Sequence, residues 1–255
     1  MTRIGRRGWG GLLALCITAC WGRGEPQDGI TPERLLERAR AAVRRGDFTD
    51  ARADLERLSF SLSPGDAEQP EVRYYLAESY FQTDEFAEAA QRFRQVADQF
   101  PESEYAPVAL LRAGDANLRL WRKPDLDPTS GRTALALYQE LAGRYPQSPA
   151  ATRAHPHIRH LQDWFAEKGY KTGVFYLRRR AYDSAILYFK DVIASYPGAR
   201  RTPDALLRLV DAYRTLGYDE ERRETCAHLE RFFPQADGLA ERCPPSRAAA
   251  GTEPS

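Results

Sequence analysis

Apolar positions recur with a helical period through residues 71–104, EVRYYLAESYFQTDEFAEAAQRFRQVADQFPESE, and the rest of the chain follows the same pattern. Leu76, Ala77 and Tyr80 fall on one face of a first segment, and Ala89, Phe93 and Val96 on one face of a second. Steps of three and four residues bring them into line on a helix. The spacing predicts helices over about 71–83 and 85–99, parted by a short polar turn and stopped by Pro101. Two helices this short cannot cover both of their apolar faces alone, so the unit has to stack on copies of itself.

Those copies are present. The small, aromatic, aliphatic and proline positions Ala89, Phe93, Val96 and Pro101 return at the same offsets as Ala134, Tyr138, Leu141, Pro146 and as Ala185, Phe189, Val192, Pro197. Two degraded copies flank them, Ala51, Leu55, Leu58, Ser63 and Arg222, Cys226, Leu229, Pro234. Twelve residues ahead of the small position, the first-helix pattern reappears as Ala77 with Tyr80, Gly173 with Tyr176 and Val210 with Tyr213. The register resembles the tetratricopeptide unit of about 34 residues. Its small residue lets two helices approach, its aromatic fills the gap to the next hairpin, and its proline ends the second helix. The predicted fold class is all-α, an α-solenoid of about five tetratricopeptide-like helical hairpins.

Two repeats depart from the unit. The first runs over 31–63, opening on an N-cap and first-turn proline at Thr31-Pro32 and turning at Gly46-Asp47-Phe48, and a polar connector follows over 61–69. A helix over 106–121 is followed by WRKPDLDPTSGRT, about eight residues longer than a turn needs, in which Asp127-Pro128 reads as the start of a helix reaching Tyr145. A second insertion of about seventeen residues precedes the fourth repeat. Ile158, Leu161 and Phe165 make it amphipathic, so it extends that repeat's first helix, with His155-Pro156 as an interruption. His155, His157 and His160 cluster there, but no carboxylate or cysteine stands at a matching spacing, so the cluster reads as a solvated helix start and not a metal site. Helical segments fill 171–196 and 203–233.

The ends of the chain carry different information. Arg3, Arg6 and Arg7 precede a short apolar run containing residues 12–17, too brief to span a bilayer, as in a secretory signal. Ile17-Thr18-Ala19-Cys20 resembles the bacterial lipobox, in which the cysteine is acylated and becomes the mature N-terminus. Trp21 stands where inner-membrane retention would require an aspartate, which favours outer-membrane sorting. Residues 1–19 are thus expected to be removed, with 20–30 a lipidated tether. Their loss takes the 37 basic side chains to 34 against 36 acidic ones, leaving no electrostatic case for nucleic acid. Of the four cysteines, Cys16 leaves with the signal and Cys20 carries lipid. Cys226 and Cys243 either pair, pinning the last helix to a folded-back segment, or remain two thiols, Cys226 filling the aromatic slot of its repeat. Residues 31–147 form an N-terminal half of three repeats, 148–236 a C-terminal half of two, and 237–255 a disordered tail.

Nothing catalytic emerges. There is no GxSxG, HExxH, P-loop or paired-glycine fingerprint, so the chain reads as a binding scaffold needing no cofactor.

A lipobox, five such repeats and two insertions at these places resemble the BamD family of outer-membrane β-barrel assembly lipoproteins. The similarity is carried by PDLDPTSGRTALALYQELAGRYPQSP and by AEKGYKTGVFYLRRRAYDSAILYFKDVIASYPGARRTPDALLRLVDAYRTLG, and it covers about residues 20–234. Ser63, Arg222 and His155-Pro156 depart from the family pattern. The resemblance implies a protein tethered by Cys20 to outer-membrane lipid, its solenoid in the periplasm. Its C-terminal repeats would dock on periplasmic domains of a BamA-type β-barrel insertase, with Lys190, Arg208 and Arg214 as candidate rim charges. Its N-terminal repeats would offer unfolded outer-membrane protein clients a groove lined, in the unit's register, by Leu36, Arg40, Val43, Tyr74, Glu78 and Phe81. The alternative is another envelope repeat lipoprotein organising peptidoglycan, secretion or division partners.

Overall fold

The computed structural model describes residues 30–123 and 127–244, so the expected signal, the expected lipid attachment at Cys20 and residues 245–255 lie outside it. Every regular element among the described residues is a helix. Five hairpins follow one another: α1 (Pro32–Arg45) with α2 (Phe48–Ser61), α3 (Gln69–Gln82) with α4 (Phe86–Gln99), α5 (Tyr105–Leu120) with α6 (Thr129–Arg144), α7 (Pro149–Arg178) with α8 (Tyr182–Ser195), and α9 (Thr202–Leu216) with α10 (Asp219–Phe232). A single turn, α11 (Leu239–Arg242), ends the described chain.

The helices start and stop for local reasons. Thr31 accepts a hydrogen bond from the Arg34 amide, and Ser148 does the same for Ala151, each with proline at the next position. Phe100, Tyr145, Tyr196 and Phe233 leave helical geometry at the ends of α4, α6, α8 and α10, and each is followed by a proline. The proline ring excludes a helical residue before it, which makes aromatic-proline a repeated stop. The Tyr145 hydroxyl then donates to the Pro101 carbonyl at 2.8 Å, tying one stop to the next. Gly46 and Gly217 take left-handed backbone at two hairpin turns, whereas Asp84 and Arg180 take it at two others at a steric cost of about 1 kcal/mol each.

The repeat register occupies the core. Ala89, Phe93, Val96, Ala134, Tyr138, Leu141, Ala185, Phe189 and Val192 are all buried, as are Ala51, Leu55, Leu58 and Leu229 of the degraded copies. The close approach also needs glycine opposite the aromatic: a Cβ on Gly114 would run into the Tyr138 ring, and one on Gly173 would lie 2.5 Å from that of Phe189. Arg222, in a small-residue slot, is half-buried and pairs with Asp219.

The insertions differ from expectation in detail. In the first, Trp121 folds down: its ring covers Gly131, its Nε1 donates to the Asp127 carbonyl, and it packs edge-on against Trp164 at 4.6 Å. The helix begins at Thr129, one residue later than Asp127-Pro128 suggested, and the Asp127 carboxylate still accepts the Thr129 amide. The second insertion yields one continuous helix, α7, of 30 residues with Pro156 inside it. The expected interruption at His155-Pro156 does not occur, because the helix is held on both sides of it by Ala154 and Leu161 in the core. His155, His157 and His160 are exposed, and His157 stacks on Tyr138 at 5.1 Å.

The tail also needs correction. Residues 237–255 were expected to be disordered, yet Leu239–Arg242 is helical and Cys243 is buried. Cys226 and Cys243 are joined by a disulfide with Cα atoms 5.5 Å apart. Leu239 and Ala236 pack on the cluster of Leu206, Val210 and Leu229, and the cross-link fixes α11 against α9 and α10, so the segment is ordered by contacts that its short, polar stretch does not announce.

Candidate binding surface

First helices pack on first helices: α3 on α5, α5 on α7, α7 on α9 and α9 on α11. Among the described residues no second helix packs comparably on the next second helix. The first helices therefore lie on the inner side of the curved stack, the side on which solenoids present their binding surface.

That surface is crossed by charge pairs linking successive first helices. Arg40 on α1 holds Glu71 on α3 through two hydrogen bonds of 2.7 and 2.6 Å, and also holds Glu37 at 3.1 Å. Arg112 on α5 reaches back to Glu78 on α3 at 2.9 Å and to Asp115 at 3.3 Å, and Tyr138 donates to Asp115 at 2.8 Å. Arg201 binds Glu167 on α7 and Asp204, while the Arg200 side chain and amide both bind Asp163. Arg242 on α11 binds Asp211 on α9 at 3.1 Å. The two-point guanidinium–carboxylate bonds of Arg40 with Glu71 and of Arg112 with Glu78 fix orientation as well as charge.

Their electrostatics follow from this geometry. Hydrogen bonding to Glu71 holds the Arg40 guanidinium further into its charged form, and the bond from Arg201 pulls the Glu167 carboxyl below the usual range. Burial pushes the Tyr138 hydroxyl up, and the neighbouring Asp115 pushes it further. Tyr74 and Tyr105, with ring centres 5.4 Å apart, are both pushed up to about 12, chiefly by burial.

The predicted groove residues divide. Leu36 and Phe81 are largely buried: Leu36 packs with the α1–α3 cluster while its edge lines a cleft shared with Glu37 and Arg40, and Phe81 sits beneath Phe86 with the Arg112 guanidinium 3.8 Å above its ring. Val43 and Tyr74 are half-buried, and Arg40 and Glu78 are occupied in the pairs just described. Of the predicted rim charges, Arg208 and Arg214 come together on Asp211 at 3.5 and 3.2 Å. Lys190 does not join them. It lies on α8, its ammonium 5.9 Å from the Tyr213 ring, in a cleft of about 450 Å³ shared with Glu221 and Glu224.

Glu71, Arg112, Glu167, Arg201 and Arg242 were missed. The available signal was opposite charges about one repeat apart: the pairs of Arg40, Arg112, Arg201 and Arg242 are separated by 31 or 34 residues.

Comparison with known proteins fits this architecture. A family profile described as "Outer membrane lipoprotein" (YfiO) matches residues 28–229. The chain belongs to the YfiO family of outer membrane lipoproteins. Within that family it is similar to the outer membrane protein assembly factor BamD of Vibrio cholerae, 27% identical over 84% of this chain and 93% of the relative. It is 26% identical to BamD of Neisseria gonorrhoeae over 91% and 92% of the two chains. BamD of Caulobacter vibrioides is 37% identical over a shorter stretch, 42% of this chain and 35% of the relative. Among solved structures, the TPR domain of P58(IPK) covers 83% of this chain and 54% of its own at TM-score 0.44 and 14% identity, a likeness too loose to carry an argument. As a YfiO-family member the chain is an outer membrane lipoprotein. Among the described residues, no helix is long and apolar enough to cross a membrane.

Proposed function

We propose that this lipoprotein is a periplasmic scaffold of the β-barrel assembly machinery, held to the outer membrane through acylated Cys20 and a tether over residues 20–30. It binds a BamA-type insertase and unfolded outer-membrane protein clients and so promotes folding and insertion of the latter. The hairpins over 31–147 receive clients, and those over 148–236 dock on the insertase. The observation that carries this reading is alignment with relatives named assembly factors along more than nine-tenths of their length. Two features of the chain support it. The inner surface is a row of half-buried pairs flanked by Val43, Tyr74 and Tyr105, mixed polar and aromatic chemistry that suits an extended amphipathic strand. Arg208 and Arg214 stand on the last hairpin, away from the client half.

A crosslinking pull-down of the membrane-extracted protein tests the proposal, with Cys20→Ala alongside. A β-barrel protein with periplasmic domains should be recovered with the wild type, and Cys20→Ala should partition away from the membrane. Recovery of cell-wall or secretion proteins alone would move the function to another envelope scaffold.

A further inference from the structure

The inner-surface pairs change composition along the stack. Near the N-terminus each arginine sits between two acids: Arg40 between Glu37 and Glu71, Arg112 between Glu78 and Asp115. At α7 and α9 the charges balance, Arg200, Arg201 and Lys171 meeting Asp163, Glu167 and Asp204. At the C-terminal end the ratio inverts. Arg208, Arg214 and Arg242 converge on the single carboxylate of Asp211, at 3.5, 3.2 and 3.1 Å. Asp211 is 17% exposed and cannot neutralise three guanidinium groups, of which those of Arg208 and Arg214 are 40% and 59% exposed.

The third arginine comes from outside the repeats. Arg242 lies on α11, which packs on α9 where the first helix of a further repeat would lie, and its 31-residue separation from Asp211 equals that of Arg40 from Glu71. α11 is one turn long and has no core of its own. The adjacent Cys243, bonded to Cys226 on α10, holds it there.

We infer that Arg208, Arg214 and Arg242 form a docking site for a carboxylate-rich segment of a protein partner, aligned by Asp211 and completed by the Cys226–Cys243 cross-link. Asp211 holds the guanidinium groups together at the cost of one of their charges, and the exposed edges of Arg208 and Arg214 remain to receive carboxylates two at a time. A protein segment matches the site better than a lipid surface does. The arginines lie on the inner face of the stack, where an extended chain enters and a flat bilayer does not. The site sits on the hairpins assigned above to the insertase and rests on that reading only for the partner's identity.

Full-length lipoprotein in non-ionic detergent, titrated with a fluorescent oligoglutamate peptide, tests the site. The peptide should bind with strong salt dependence. Arg242→Glu and the Arg208→Glu/Arg214→Glu pair should each weaken it about tenfold or more. Cys243→Ser should weaken binding in the wild-type background and change nothing further in Arg242→Ala, whereas Arg44→Glu/Arg45→Glu, on the exposed end of α1, should leave it unaltered. Equal binding by Arg242→Glu and wild type would overturn the inference. So would equal competition by inorganic phosphate, or arginine-dependent capture by phosphatidylglycerol vesicles with no peptide binding. Peptide binding that is intact while no insertase is recovered would refute the assembly reading and leave this site standing; the reverse pattern would do the opposite.

Discussion

At the scale of single residues, function and stability turn on how closely atoms approach. Gly173 faces Phe189, and Gly143 has nothing near the position its Cβ would take. Gly173→Ala should therefore destabilise the protein by about 1–3 kcal/mol through overpacking, despite the better helix propensity of alanine. Gly143→Ala, inside α6 and unobstructed, should be neutral or stabilising by up to about 1 kcal/mol; urea denaturation of both variants checks the contrast. Tyr74 gives a pH dependence with a definite sign. Its folded-state pKa lies near 12, above the ordinary value near 10, so the folded state resists ionisation. The associated stability is whole below pH 10 and is lost as pH rises toward 12, a loss on the order of 2 kcal/mol from Tyr74. Melting temperature should fall across that window, and Tyr74→Phe should flatten the fall. Neither the Gly173 contact nor the burial of Tyr74 is written in local sequence. Gly173 was recognisable as a small position, but Tyr74 as a groove residue gave no hint of its stacking on Phe93 and Tyr105.

At the scale of elements, α7 is the departure that shapes the molecule. At 1.5 Å per residue its 30 residues span about 45 Å, twice an ordinary first helix, and it packs on α5, α6, α8 and α9. Pro156 lies inside it, lacks the amide that would bond the Thr152 carbonyl, and crowds that carbonyl with its ring. Pro156→Ala should raise the melting temperature by a few degrees, the restored bond outweighing the added freedom of the unfolded chain. Thermal denaturation by circular dichroism reads the shift. The length of α7 was legible because Ile158, Leu161 and Phe165 keep the helical period after the proline; its continuity was not, because local rules place a boundary there and only packing on both sides overrides them.

At the scale of the whole molecule, the stack has a direction. Acid-rich pairs at one end give way to an arginine-rich cluster at the other, so the docking proposed above should depend on a partner's charge. The two ends also finish differently. Among the described residues, the C-terminal hairpin carries a cross-linked turn, α11, packed on α9 and α10, whereas α1 packs on α2. Repeat stacks need protected ends, since a terminal hairpin has a neighbour on one side only.

Sequence alone determined the all-helical class, the five hairpins, the aromatic-proline stops and the register of buried small and aromatic residues. All of these follow from backbone preferences and a period of 3.6 residues, which act over a few positions. Tertiary structure decided what depends on the neighbouring repeat. It buried Leu36 and Phe81, which the register had placed in a groove, because the adjacent helix approaches closely enough to cover them. It matched Arg40, Arg112, Arg201 and Arg242 each with an acid 31 or 34 residues away, a choice among many surface charges that only the stacking offset makes. It also brought Cys243 to Cys226 and Arg242 to Asp211, deciding between a cross-link and two thiols where the sequence left both open.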